Sequence, residues 1–149
     1  MDEYHRIPIY PDHVSATSVL TRLLDGLGFR FYWATEGLRV EDYGFRPAKD
    51  TMSIGELVIH VWSLVNWVSS STFNRPYEEP RDGPAAREGA LGIIRNLRET
   101  MLAMSDEDLG KLRIRDSARV LRWPDAHGAD KFLQEARRQP GLGSQCLSG

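Results

Sequence analysis

Four histidines and one cysteine are the side chains of this sequence best suited to hold a transition metal through nitrogen or sulfur. One of them, His60, is placed where such chemistry would be sheltered. It stands three residues after Leu57 and four before Leu64, at the edge of an apolar helical stripe. An imidazole there must be hydrogen-bonded or metal-bound, because burying it unpaired is costly. On the residues alone both readings stay open. His5 and His13 precede or open the first helix, where a solvated ring is expected. His127 has Trp123 and Lys131 four residues to either side, so it forms no H-x-x-x-H pair. A catalytic zinc or nickel site uses about three protein ligands and an open position; the sequence offers His60 without visible partners, and no competent metal site is expected. Cys146 is a lone thiol among glycine and serine, unable to form an internal disulfide, and it reads as inert. The sequence has no Gly-rich phosphate loop, no G-x-S-x-G elbow and no cysteine cluster.

The elements that must position His60 are helices. From about residue 13 to 38, Leu20, Leu24, Leu27, Phe31, Ala34 and Leu38 recur every three or four residues and form one stripe, widened by Leu23 and Trp33. Arg22, Asp25, Arg30 and Glu36 mark the expected wet side, while Gly26 and Gly28 are tolerable where a neighbour packs closely. The loop RVEDYGFRPAKDTM follows, in which Arg39, Glu41, Asp42 and Arg46 are expected to form solvated local ion pairs. Ser53 and Glu56 have capping-box spacing. They open a second helix over about 54–71, with Ile54, Leu57, Val58, Val61, Leu64, Val65 and Val68 expected inward. Trp62 and Trp67, five residues apart, cannot share a face, so one is expected to line a cleft or a contact between copies.

FNRPYEEPRDGP breaks regular structure with three prolines, and Pro84 suits the first turn of a third helix over about 84–104. That helix carries Ala90, Ile94, Leu97, Met101 and Met104 in one stripe, thickened by Leu91 and Leu102. MSDEDLGKL reads as a turn with a short helical piece capped by Ser105. Past about Ala118 the pattern weakens: a short helix over 129–138 is conceivable, Pro124 interrupts its approach, and QPGLGSQCLSG is expected to lie outside regular structure. The expectation is an all-α chain divided into a bundle domain, 1–118, and an atypical segment, 119–149. Its four-helix bundle has three strong helices and a weak or non-native fourth.

Bulk properties bound the function. The 149 residues suit one domain; 41% are hydrophobic and 27% charged, an ordinary globular balance. A net charge of −2 argues against nucleic acid or an anionic membrane as the main partner, and Arg137–Arg138 is too short for a nucleic-acid patch. With no signal peptide and no run of about 20 apolar residues, the expected location is the cytoplasm.

From Leu20 to Trp67 the chain resembles the DinB-like proteins. The resemblance rests on the L-x-x-L of the first helix, the loop EDYGFRP, the run SIGELVIHV and the trailing tryptophan. It implies an up-down-down-up four-helix bundle, commonly a homodimer, and a divalent-metal (zinc or nickel) hydrolase or thiol-dependent transferase scaffold with His60 as a metal ligand. The family draws its remaining histidines from the fourth helix, whose pattern T-H-x-G-Q-I, then S-F-R-R, G-N-P and V-N-V-F, is missing here. Codons for DAHGADKFLQEARRQPGLGSQCL permit that succession when read one nucleotide later, as a frameshift would produce. The resemblance therefore implies a metal-binding scaffold inactive in this form. The alternative is a non-enzymatic helical interaction or dimerisation module, because three apolar stripes without a proper fourth helix leave an uncovered patch and favour self-association.

Overall fold

The computed structural model describes residues 3–76 and 79–112. Among them the chain is all-helical, without a strand: α1 is Ala16–Thr35, α2 Ile54–Phe73, α3 Gly83–Ala103 and α4 Asp106–Lys111, with 3-10 turns at Glu3–His5 and Val40–Gly44. No helix of the described residues is long and apolar enough to cross a membrane. The expected short helix over 129–138, the irregular tail and the domain division near residue 118 lie outside the described residues.

Local chemistry fixes the helix ends. Ser15 and Ser18 cap α1 reciprocally, each hydroxyl accepting the other's backbone N–H. Ser53 and Glu56 do the same for α2: the Ser53 hydroxyl accepts from the Glu56 N–H at 3.1 Å, and the Glu56 carboxylate accepts from the Ser53 N–H at 2.7 Å. That second bond, joined by the Arg46 guanidinium, holds the Glu56 carboxyl below its usual pKa range. α2 ends where Asn74 turns left-handed, at φ 55°. Asp82 caps α3 through the Ala85 N–H at 2.8 Å, and Pro84 occupies its first turn. Ser105 caps α4.

α3 is the central helix: α1 and α2 each pack along it and make little direct contact with each other. α1 runs antiparallel to α3. Arg87, early in α3, donates to Thr35 and Glu36 at the end of α1, whereas Asp106, just after α3, accepts from the Ala16 and Thr17 N–H groups at the start of α1. α2 runs parallel to α3. Tyr43 wedges against Gly55 and Gly83 at the first turns of both helices, and Arg75 beyond α2 donates to Thr100 late in α3 at 2.6 Å.

The interior divides along this axis. The end holding the last half of α1 and the first halves of α2 and α3 has an apolar core of Tyr4, Phe31, Tyr32, Val58, Trp62, Val65, Ala86, Ala90, Leu91 and Ile94. The other end buries polar groups: Thr17, Ser18, Thr21 and Asp25 from α1, and Asn66 and Ser69 from α2. Asp25 is 0% exposed, and Arg98 donates to it from α3 through Nε at 2.6 Å.

Two expectations about faces are therefore corrected. Asp25 does not lie on the wet side of α1 but inside it, matched by a guanidinium 73 residues away that spacing within one helix cannot reveal. The leucine stripe of α1 is not the buried stripe either: only Phe31 is buried, Leu24 and Leu38 are half-buried, and Leu20, Leu27 and Ala34 are exposed, as are the flanking Leu23 and Trp33. α2 repeats the pattern. Val58 and Val65 are buried and Ile54 and Val61 half-buried, but Leu57, Leu64 and Val68 are exposed. In α3 the expected stripe is the observed one, with Ala90, Leu91, Ile94, Leu97 and Met101 buried, although Leu102 is exposed.

Candidate functional site

His60 projects from the middle of α2 and is half-buried. Burial pushes its imidazole below the ordinary histidine pKa, which favours the neutral, metal-competent form. Its backbone carbonyl also accepts the Ser63 hydroxyl at 2.8 Å, holding Ser63 inward on the helix. One turn to either side along α2 stand Leu57 and Leu64, 52% and 50% exposed.

The other sequence candidates do not gather around it. His5 sits in the first 3-10 turn with its ring 5.3 Å from that of Trp33 and 6.3 Å from that of Tyr32. Trp33, expected to widen the packed stripe, thus belongs to a surface aromatic group, where Arg87 also lies over Tyr32 at 5.2 Å. His13 is exposed ahead of α1. His127 and Cys146 lie outside the described residues. Among those that are described, no three His, Cys, Asp or Glu side chains come together in a way that could hold a metal ion. A divalent ion needs more donors than His60 supplies, so the described donor set does not fit a resident metal.

His60 lies in an uncharged stretch of α2. From Leu57 to Phe73, α2 contains no Asp, Glu, Lys or Arg, yet Leu57, Ile59, Leu64 and Val68 stand exposed. Leu24 of α1 and Val61 of α2 pack against the margin of the core. From them the exposed stripes run outward: Leu20, Leu23 and Leu27 on α1, Leu57, Leu64 and Val68 on α2.

The two tryptophans of α2 divide as their spacing requires. Trp62 is buried against Gly89, where a Cβ would crowd its indole, and Trp67 is half-buried with its indole N–H shielded and making no hydrogen bond among the described residues. The loop charges behave as expected, with Arg39 bonded to Asp42 at 2.8 Å and to Glu41 at 3.1 Å, and Arg46 to Glu56 at 2.6 Å.

Three structural features escape a reading by spacing. One is the Asp25–Arg98 pair. The second is Tyr4, 1% exposed, whose ring fills a notch that exists because residue 28 is glycine; a Cβ there would lie 2.5 Å from it. Gly28 inside a helix was the available signal, since such a glycine marks close packing. The third is Asp106, whose carboxylate accepts the Ala16 and Thr17 N–H groups at 3.0 Å and the Thr17 hydroxyl at 3.2 Å. Those backbone bonds hold its pKa below the usual carboxylate value and tie the start of α4 to the start of α1.

No protein-family model, no curated protein and no solved structure matches this chain.

Proposed function

We propose that this chain is a helical interaction module that works through the exposed apolar face of α1 and α2. The observation that carries the reading is the 17-residue run from Leu57 to Phe73, free of charge, in which Leu57, Ile59, Leu64 and Val68 stand exposed. Monomeric soluble proteins rarely leave large contiguous apolar faces in water, and those that do use them for association. In this reading α1, α2 and α3 are the first three members of the up-down-down-up bundle implied by the DinB-like resemblance. The outer stripes of α1 and α2 are then the surface a fourth long helix would occupy. The expected cytoplasmic location suits such a module.

The second reading, a divalent-metal scaffold of hydrolase or thiol-transferase type, is favoured by His60 alone. Its neutral imidazole, between two exposed leucines, suits a ligand whose partners would come from across the uncovered face. One experiment separates the two. Purified protein is equilibrated with zinc or nickel, dialysed and analysed for metal, and its binding of a hydrophobic dye is measured. The interaction reading expects sub-stoichiometric metal, together with dye binding that falls in Leu57→Ser and not in His60→Ala. Stoichiometric metal lost in His60→Ala would replace it with the metal scaffold.

A further inference from the structure

Residues 6–12, RIPIYPD, link the Glu3–His5 turn to α1. Each proline fixes its own φ and restricts the residue before it to extended conformations, so Ile7, Pro8, Tyr10 and Pro11 are all biased toward an open chain. No helix, turn or bend forms over residues 7–11. Exposure along the segment repeats every three residues. Pro8 and Pro11 are half-buried, Ile7 and Tyr10 are 44% and 46% exposed, and Arg6, Ile9 and Asp12 are all exposed, Ile9 to 93%. A period of three belongs to the polyproline II helix, which also makes no internal hydrogen bonds. Accordingly, no backbone–backbone hydrogen bond forms over residues 7–12 among the described residues.

The segment is also held in place. Ahead of it Tyr4, 1% exposed, fills the notch at Gly28, and within it the Arg22 guanidinium lies 4.1 Å from the centre of the Tyr10 ring. It therefore runs along α1 toward the start of that helix, with its proline edge the least exposed and two edges open. An extended peptide fixed in this way has given up its conformational freedom before it binds, which is what grooves lined with aromatic rings exploit. Pairing onto the edge of a partner's sheet is the other use of an extended segment, and it needs N–H donors at alternate residues. Pro8 removes a donor from one edge and Pro11 from the other.

The geometry points to residues 6–12 as a preformed polyproline II ligand, presented to a partner domain whose groove is lined by aromatic side chains. Ile9 enters the groove with the open sides of Ile7 and Tyr10, and Arg6 meets a carboxylate at its rim. The prolines hold the shape and do not insert. This contact is separate from the exposed stripes of α1 and α2, so either can fail without the other.

A panel of purified SH3 and WW domains, which carry grooves of this kind, is titrated against the full chain. Affinity is read by surface plasmon resonance, location by amide NMR shifts and folding by circular dichroism. At least one domain is expected to bind in the micromolar range, with shifts centred on residues 6–12. Ile9→Asp is expected to weaken that binding at least about 10-fold at unchanged helicity. Pro8→Ala combined with Pro11→Ala, which frees the unbound segment, is expected to weaken it roughly 10-fold. Leu64→Glu, on α2, is expected to leave it unchanged. Absence of binding across the panel overturns the proposal, as does binding that survives Ile9→Asp or the double proline substitution. Binding lost in Leu64→Glu also overturns it, and assigns the contact to the apolar stripes of the association reading instead.

Discussion

α3 and α1 carry apolar stripes of the same spacing, and they use them in opposite ways. α3 turns its stripe inward, so Ala90, Ile94, Leu97 and Met101 are buried. α1 buries threonine, serine, Asp25 and Gly28 and leaves Leu20, Leu23 and Leu27 outside. Periodicity states which face of a helix must end up dry, and it does not state what dries it. α3, the central helix, is dried by its two neighbours. α1 has only one long neighbour among the described residues, and its small and polar residues permit that close approach while Arg98 donates to Oδ1 of its buried carboxylate. The surplus apolar stripe stays exposed.

Truncation sharpens the contrast most. Ile94→Ala, at a site with no exposure, is expected to cost about 4 kcal/mol in urea unfolding. Leu23→Ala, 64% exposed, is expected to cost less than about 0.5 kcal/mol in dilute protein. Comparable losses at the two sites would show that α1 packs inward through its leucines after all.

Asp25 tests the polar seam itself. Asp25→Ala leaves the Arg98 guanidinium without its carboxylate in a largely buried position, and a loss of about 3 kcal/mol is expected in the same unfolding assay. A change within about 0.5 kcal/mol would return Asp25 to the solvated side that its spacing suggests.

The smallest effect is a dependence on pH. Burial lowers the His60 pKa in the folded chain below the unfolded value of 6.5, so the unfolded chain takes up the proton first as pH falls. Stability is then fully present above 6.5 and declines as pH drops below it, until the folded imidazole also protonates. Thermal melts of wild type and His60→Ala between pH 5 and 7.5 are expected to diverge, with the variant losing less on acidification. Parallel profiles would mean that the imidazole is as well hydrated folded as unfolded.

Much of the fold was legible because its signals are local. The Ser53–Glu56 capping box set the start of α2, Pro84 and Ser105 marked the openings of α3 and α4, and the stripe of α3 named its core. What stayed hidden depends on residues far apart in sequence. Asp25 reads as wet until Arg98 is placed beside it, and Tyr4 draws no notice until Gly28 is seen to make room for its ring. Of the candidate site, the position of His60 at the edge of an apolar stripe was readable from spacing alone. That the stripe beside it stands open was not, because the packing of α1 and α2 on α3 rotates both helices about their axes, which no single helix encodes.

The most direct test of the uncovered face is amide hydrogen exchange measured at increasing chain concentration. If α1 and α2 associate through their outer stripes, exchange within Ile54–Phe73 and Ala16–Thr35 slows as concentration rises, while the Val40–Gly44 turn between them keeps its rate. Exchange in α2 that is indifferent to concentration, from well below to well above micromolar, would contradict the account.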